Sequence, residues 1–199
     1  MIDLLNAAAR KVPSWVLYIV AALYPTFLFY QGLTGGLGVD PVKAMEHEMG
    51  RKGLQVLILT LSITPLRRYL GVNFMKFRRA TGLIAFFYIG LHLLVWLVLD
   101  VQIPSEIWAD ILKRPYVTIG MVGFIVLLPL AITSNNWSVR RLGRNWHVLH
   151  KLTYVAIVLG AVHFLMLAKG FQYEPIIYLV VVAFLLALRL IPRRRLVRA

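Results

Sequence analysis

The chain has 199 residues, of which 60% are hydrophobic and only 15% are charged. A soluble domain is about half apolar and about a quarter charged. The composition therefore argues against a soluble globular protein. Its 22 Lys and Arg against 8 Asp and Glu give a net charge of +14, which indicates nucleic acid, an acidic partner or an anionic membrane surface as a binding partner. Because cysteine is absent, disulfides, thiolate metal sites and cysteine nucleophiles are excluded.

Six apolar stretches follow one another along the chain and predict an all-α integral membrane protein. Each is long enough for a helix to cross a hydrocarbon core of ~30 Å. Alternation of period two is missing, which argues against a β-barrel. We therefore expect a six-transmembrane-helix bundle that forms a single domain over residues 1–199. The predicted spans lie near residues 15–33, 54–70, 80–99, 116–133, 148–168 and 176–191.

Capping signals fit these spans. Asp40 followed by Pro41 predicts the start of a helix that continues into the second span. Pro115 in the same way predicts the first turn of the fourth span. Ser105 predicts the cap of a short helix over residues 106–112, lying at the membrane interface between the third and fourth spans.

The basic residues concentrate on one side of the predicted membrane. Six spans place both termini on the same side, and that side carries 16 of the 22 basic residues with one acidic residue. The positive-inside rule therefore predicts cytoplasmic termini, and the positive charge is attributed to topology and lipid headgroups, with no nucleic acid as partner. The opposite side has 6 basic and 7 acidic residues and is the predicted docking surface for a partner. Its acidic residues are Asp40, Glu46, Glu48, Asp100, Glu106, Asp110 and Glu174.

Two histidines, His92 and His163, lie well inside the third and fifth predicted spans. An ionisable side chain at such depth is costly and usually functional, although an interhelical hydrogen bond is the simpler alternative. At ~1.5 Å per residue, both imidazoles lie roughly 9–12 Å below the same membrane boundary. Two histidines at matched depth on two helices can be the axial ligands of one haem. Gly90 and Gly160 nearby would either let a flat, bulky group approach the backbone or serve close helix packing.

His150 lies near the predicted cytoplasmic side, about 20 Å from His163 along the fifth span at ~1.5 Å per residue. On a continuous helix the two rings point about 140° apart, and the third span has no histidine at the depth of His150. Three roles stay open: ligand of a second haem, contact to another cofactor, or structural residue. Arg78 and Arg79 occupy that depth, and the basic residues of this inner rim could bind flavin phosphate or haem propionates; they are Arg78, Arg79, Arg140, Arg141 and Arg144. His147 is expected to be an interfacial residue.

Seven short stretches, taken together, match one family of membrane proteins. They are GGLGVDPVKAMEHEMGR (35–51), LSITPLRR (61–68), FRRATGL (77–83), LHLL (91–94), KRPYVTIG (113–120), LHKLTYV (149–155) and VHFL (162–165). In order and spacing the chain resembles, from about residue 15 to 190, the MsrQ (YedZ) family of haem-binding membrane subunits of bacterial methionine sulfoxide reductase systems, in the ferric reductase-like transmembrane superfamily. By motif position, His92, His150 and His163 correspond to the haem-associated histidines of that family. Arg78 and Arg79 fall on the pattern linked to FMN.

The resemblance implies a b-type cytochrome with one or two haem b groups as well as FMN. Such a protein would carry electrons from the quinone pool or a flavin reductase across the bacterial inner membrane. The recipient would be MsrP, a periplasmic molybdopterin enzyme that reduces methionine sulfoxide in oxidised proteins, so catalysis would lie in the partner. His47 and Arg51 match the motif of the outer loop, where they would contact a haem propionate or the partner, or order the loop.

Two other functions fit the same composition. One is a stand-alone transmembrane ferric or quinone reductase that acts directly on a small substrate. The other is a small transporter or scaffold in which the histidines form a proton relay. The lack of acidic residues inside the predicted spans argues against the relay, because such paths often use Asp or Glu.

Overall fold

The computed structural model describes residues 1–168 and 170–191, which are helical and contain no β-strand. Their α-helices are α1 (Ile2–Lys11), α2 (Trp15–Leu33), α3 (Pro41–Leu70), α4 (Arg78–Val95), α5 (Pro104–Lys113), α6 (Pro115–Ile132), α7 (Asn136–Leu142), α8 (Arg144–Leu149), α9 (Leu152–Leu167) and α10 (Tyr173–Leu190). A 3₁₀ turn, Met75–Phe77, precedes α4, and a π-helical segment, Trp96–Val101, follows it. Among the charges used in the topology argument, Lys169, Arg193, Arg194, Arg195 and Arg198 lie outside the described residues.

Five segments of the described chain are long and apolar enough to cross a membrane. They are Trp15–Leu33, Met75–Val101, Pro115–Ile132, Arg144–Leu167 and Tyr173–Leu190. They coincide with five of the six predicted spans. The remaining one, 54–70, forms the second part of α3, which is 30 residues long. Charged residues in the first turns of α3 and at its end interrupt its apolar stretch. The segment is therefore less apolar over the length needed to cross a membrane than the other five.

Two of the three predicted helix starts are confirmed. The carboxylate of Asp40 accepts a hydrogen bond of 3.0 Å from the backbone N–H of Lys43, and Pro41 is the first residue of α3. Pro115 opens α6. The prediction for Ser105 is wrong, because α5 begins one residue earlier, at Pro104, whose fixed φ suits a first helical turn.

Helices α3, α4, α6 and α9 form the centre of the molecule, with α3 packed against α4 and α6 against α9. Helix α10 covers α9 and α3, and α2 covers α3 and α4. A buried cluster that includes Leu57, Leu61, Ile157 and Val182 joins α3, α9 and α10. Large apolar side chains on α2, α6 and α10 stay exposed, as expected for a surface that lipid covers.

The two ends of the molecule differ in what they hold. At one end, Asn6 donates a hydrogen bond to the carbonyl of Gly71 (3.0 Å), which ties α1 to the turn after α3. At the other end, next to α5, Lys43 at the start of α3 pairs with Asp100 at the end of the π-helical segment. We call these the α1 end and the α5 end. The sequence patterns above do not predict α1.

Candidate functional site

A cavity of about 560 Å³ opens between α3, α4, α6 and α9 and reaches the α5 end. Most of its wall consists of apolar side chains and glycines, and its volume lies within the range of about 300–1,000 Å³ of small-molecule and cofactor sites. The charged residues that line it are Lys43, Glu46, Arg51, Arg114 and Glu174. The molecule therefore has room for an apolar group with a polar edge facing the α5 end.

His92 on α4 and His163 on α9 both line this cavity. Their ring centres are 6.1 Å apart and their planes meet at 69°. The structure thus brings together the two histidines that depth along the sequence predicts to lie side by side. We call them the histidine pair.

Each imidazole of the histidine pair is fixed through its Nδ1 atom. His92 Nδ1 lies 2.8 Å from the backbone carbonyl oxygen of Glu46, and His163 Nδ1 lies 2.7 Å from that of Tyr116. A carbonyl oxygen only accepts hydrogen bonds, so Nδ1 carries the proton in both rings. The Nε2 atoms are then the unprotonated nitrogens, and neither has a hydrogen-bond partner in the part of the chain that the structure describes. Histidines that bind metals are held in this way.

The arrangement fits a haem iron. Two imidazoles that share one metal ion through bonds of about 2 Å have ring centres roughly 6 Å apart. Residues 1–168 and 170–191 hold no group of three or more His, Asp or Glu that could bind a bare metal ion. Two histidines alone suit an iron whose other ligands come from a macrocycle. The volume and the apolar wall of the cavity suit the same group.

Gly90 and Gly160 differ in their positions. Gly160 lines the cavity, next to a side-chain atom of Leu54. Gly90 does not line it, and a Cβ placed there would meet no atom of the described residues within 4 Å. Only one of these two glycines therefore lies where a flat group would need it.

Ion pairs neutralise much of the acidic surface at the α5 end. Of the seven acidic residues predicted to dock a partner, five pair with basic residues: Glu46 and Asp100 with Lys43, Glu48 and Glu174 with Arg51, and Asp110 with Arg114. Asp40 and Glu106 are exposed and form no ion pair with a described residue.

Burial affects the charges at the mouth of the cavity. It raises the pKa of Glu46 above its ordinary value, although the nearby Lys43 partly opposes this. Burial also acts to lower the pKa of Lys43, but the hydrogen bond to Asp100 and the carboxylate charges outweigh it, so that this pKa is raised. Lys43 therefore stays charged and holds the two carboxylates together. His47 is exposed at the same mouth.

His150 lies at the α1 end, in the turn between α8 and α9. Its ring stacks on Trp146 with centres 3.8 Å apart, and its Nε2 lies 3.1 Å from the hydroxyl oxygen of Thr133. That hydroxyl donates its single proton to the carbonyl of Pro129 at 2.6 Å. It must therefore accept from His150, whose Nε2 carries the proton and whose Nδ1 does not.

His150 and His163 do not share one continuous helix, because the fifth predicted span is interrupted by the turn at His150 and Lys151, and the predicted angle of about 140° between their rings therefore does not hold. No second histidine faces His150 across the fold, since His147, the nearest in sequence, packs against the edge of Trp146. This concerns the described residues, which include all five histidines.

The two predicted arginines lie close to His150. Arg79 donates a hydrogen bond of 2.7 Å to the side chain of Asn136, and Arg78 is partly buried near Arg189 and Tyr154. Both arginines are near enough to act on His150 electrostatically. We call the five residues involved the His150 cluster. They are His150, Trp146, Thr133, Arg78 and Arg79.

Comparison with known proteins gives the family. Residues 49–161 match the ferric reductase like transmembrane component family. The protein-methionine-sulfoxide reductase heme-binding subunit MsrQ of Brucella anthropi is 49% identical over 178 residues, covering 89% of this chain and 81% of that protein. The MsrQ of Brucella ovis is 50% identical over 177 residues, with 88% and 80% covered.

The chain belongs to the MsrQ family of ferric reductase like transmembrane proteins. No solved structure is significantly similar to it. The transmembrane family and the five apolar segments together make this MsrQ-family chain a multi-pass membrane protein. The two Brucella relatives are, by name, heme-binding subunits of a methionine sulfoxide reductase.

Two glycines of the site are not among the residues predicted from the sequence. Gly50 and Gly120, on the helices that face the histidines, lie directly against the imidazole rings. Each follows by four positions the residue whose carbonyl binds the ring, Glu46 or Tyr116. A search for glycines on the helices that face a buried histidine, rather than beside it in sequence, would have found them.

Proposed function

We propose that this MsrQ-family chain is a b-type cytochrome subunit that carries electrons across the bacterial inner membrane to a periplasmic methionine sulfoxide reductase. The observation that carries the proposal is the histidine pair, fixed through Nδ1 with both Nε2 atoms free beside an apolar cavity. The names of the Brucella relatives support haem as the bound group and methionine sulfoxide reduction as the process.

His92 and His163 are the residues that would hold haem b, through their Nε2 atoms. When bound, haem supplies a reversible one-electron oxidation and reduction, which suits electron transfer rather than conversion of a substrate. The carbonyls of Glu46 and Tyr116 keep both imidazoles in the tautomer that binds iron. The apolar wall keeps water from the site and lowers the local dielectric, which tunes the redox potential. Arg51 and His47, at the mouth, are placed to contact propionates or the partner.

The proposed topology has six spans in one transmembrane domain, with residues 54–70 of α3 as the second span. The α1 end lies in the cytoplasm and the α5 end in the periplasm. The positive-inside rule supports this, because Arg78, Arg79 and the basic residues of α1 and α7 share the α1 end, whereas the described part of the α5 end mixes bases and acids. The histidine pair then lies nearer the periplasmic partner.

The His150 cluster is the proposed entry point for electrons. Arg78 and Arg79 offer charge-assisted hydrogen bonds to the phosphate of FMN, and the unprotonated Nδ1 of His150 is an acceptor beside them. Because no second histidine faces His150, one haem per chain is proposed, with FMN at the cluster. The electron donor is the quinone pool or a flavin reductase, and the recipient is a molybdopterin enzyme of the MsrP type.

Cofactor content tests the first part of the proposal. We expect a pyridine haemochrome assay of the purified chain to give one haem b, with flavin released in a parallel sample. His92→Ala and His163→Ala should each remove the haem, because one of the two histidines that would hold it is lost, whereas His147→Ala should retain it. Haem retained by both alanine variants of the histidine pair would refute the ligand assignment.

Electron delivery tests the second part. Chemically reduced haem in the purified chain should be reoxidised only when both a molybdopterin methionine sulfoxide reductase and methionine sulfoxide are added. Equal reoxidation by a ferric chelate or a quinone without that enzyme would favour a stand-alone reductase instead.

A further inference from the structure

Gly50 on α3 and Gly120 on α6 lie against the two imidazoles of the histidine pair. A Cβ atom at Gly50 would stand 3.0 Å from His92 Nδ1. A Cβ atom at Gly120 would stand 2.8 Å from His163 Nδ1 and 2.9 Å from its Cε1. Real Cβ atoms essentially never approach another heavy atom closer than 3.0 Å, so a side chain at Gly120 would force the ring of His163 to shift, whereas one at Gly50 would make a tight contact that His92 must relieve by a few tenths of an ångström.

The glycines and the hydrogen bonds at Nδ1 belong to one arrangement. The acceptor carbonyls belong to Glu46 and Tyr116, each four residues before its glycine. In an α-helix the carbonyl of one residue lies directly beside the residue four positions later. An imidazole that reaches the carbonyl from the facing helix must therefore lie over that later residue. A glycine at that position leaves the ring the most space.

The same spacing continues along both helices. Three residues after Gly50, a Cβ at Gly53 would stand 2.5 Å from Ile89 on α4. Three residues after Gly120, a Cβ at Gly123 would stand 3.4 Å from Leu159 on α9. Both pairs of helices thus use a carbonyl, a glycine four positions later and a second glycine three positions after that. Of the two second glycines only Gly53 excludes a Cβ, because 3.4 Å at Gly123 is an ordinary van der Waals contact, so the steric feature common to both helix pairs is the glycine that lies against the imidazole.

We propose that Gly50 and Gly120 are positioning residues that fix the depth and the ring orientation of the two haem-ligating histidines. The inference rests on the proposed haem ligation and adds to it which residues set the geometry of the ligands. The bond at Nδ1 determines the basicity and direction of an imidazole ligand, and through them the affinity for the metal and its potential. A methyl group at either glycine weakens that bond by pushing the ring away from the carbonyl.

Alanine substitution of the full-length protein in detergent tests this. We expect Gly120→Ala to accelerate haem loss to excess apomyoglobin about ten-fold, as lost supporting hydrogen bonds do at other metal sites. Gly50→Ala should act in the same direction with a smaller effect, because its added Cβ meets the ring at 3.0 Å rather than 2.8 Å. Gly90→Ala is the matched control, since it changes a glycine two residues from His92 where a Cβ meets no described atom within 4 Å.

A second readout separates positioning from general destabilisation. The low-spin ferric EPR signal and the midpoint potential depend on the orientation and basicity of the axial imidazoles. Both should shift in Gly120→Ala and Gly50→Ala, in haem that remains bound, and stay unchanged in Gly90→Ala. If Gly120→Ala does not accumulate in the membrane, Gly50→Ala decides the question.

The outcomes distinguish this inference from the function on which it rests. If His92→Ala and His163→Ala lose haem while Gly50→Ala and Gly120→Ala keep the wild-type EPR signal, potential and haem-loss rate, the positioning role is wrong and the ligation stands. If the two histidine variants keep their haem, the proposed ligation itself is wrong.

Discussion

The histidine pair and His150 are held in opposite tautomers. His92 and His163 donate from Nδ1 to carbonyls of neighbouring helices, which leaves Nε2 free. His150 donates from Nε2 to the hydroxyl of Thr133, which leaves Nδ1 free. Burying a histidine inside an apolar stretch costs free energy, which identifies it as a candidate functional residue. Which ring nitrogen is hydrogen-bonded then determines which nitrogen is left to bind a ligand.

The surroundings of the histidine pair also differ from those of His150. Both rings of the pair line the cavity, whereas His150 does not, and one face of its ring is covered by Trp146. Two arginines act on His150, while the nearest charged side chains of the pair belong to the mouth of the cavity. The pair is therefore suited to a ligand that binds between two rings, and the His150 cluster to an anionic group that binds beside one.

The largest expected difference between the two sites is in cofactor content. His150→Ala should keep the haem content of the wild type, unlike the alanine variants of the histidine pair, because His150 makes no contact with the cavity. We expect it to lose bound FMN and to slow reduction by the inner donor about ten-fold, as loss of a supporting contact does at cofactor sites. Haem and flavin per chain, measured on the same sample, check this.

A halved haem content in His150→Ala would overturn the comparison. It would show that His150 holds a second haem, as one of its three sequence-based roles allows. A loss of FMN with full haem content would support the distinction between the histidine pair and the His150 cluster, because the two sites would then bind different groups.

The histidine pair can be predicted from the sequence because the depth of a residue in the membrane follows from its position along a span. Counting residues from the ends of two spans places His92 and His163 at the same level, and any packing that joins α4 and α9 around a cavity brings the rings together. The same counting places His150 near the α1 end, but the angle predicted between His150 and His163 does not hold, because it assumes a continuous helix and the turn at His150 and Lys151 contains neither Gly nor Pro that would signal it.

The supporting residues depend on which helices face each other, and that information is absent from single spans. Gly50 lies against His92, and Gly120 against His163, only because α3 packs against α4 and α6 against α9. The ion pairs of the predicted acidic docking surface are likewise not predictable from single spans. Arg51 and Glu174 are far apart in sequence, so counting charges by loop does not reveal that they pair.

A smaller change should separate the two histidine sites without removing either. Thr133→Val deletes the hydroxyl that accepts from His150 and keeps the shape of the side chain. One neutral hydrogen bond contributes about 1 kcal/mol, so its loss removes that preference for the His150 tautomer with a free Nδ1, and flavin binding that uses this nitrogen should weaken by up to roughly five-fold. The low-spin EPR signal of the haem at the histidine pair should not change. Flavin titration and EPR spectra of the same variant provide the two measurements.

Thr60→Val is the matched control for this change. Thr60 is buried and its hydroxyl donates only to the carbonyl of Val56 within its own helix, so flavin binding should stay at the wild-type value. An altered haem EPR signal in Thr133→Val would contradict the independence of the two sites. Unchanged flavin binding would contradict the role given to His150.

The smallest expected effect concerns docking at the α5 end. Asp40 and Glu106 are the two exposed acidic residues there without an ion pair to a described residue, so they are the carboxylates available to a basic partner surface. Replacing both by Lys should slow electron delivery to the periplasmic reductase roughly three-fold at low salt, because exposed charges mainly steer encounter. Added salt should remove the difference, since the Debye length falls to about 3 Å at 1 M.

The charge reversal also separates the two ends of the molecule. Reduction of the haem by the inner donor should be unchanged in the Asp40→Lys, Glu106→Lys variant, because the proposed entry point for electrons is at the α1 end. Lys11→Glu, a reversal on the exposed side of α1, should leave delivery to the reductase unchanged. If the double variant delivers electrons at the wild-type rate at low salt, the partner does not dock on these carboxylates. The paired residues around Arg51 would then be the next surface to test, because their charges reach a partner only after the pairs open.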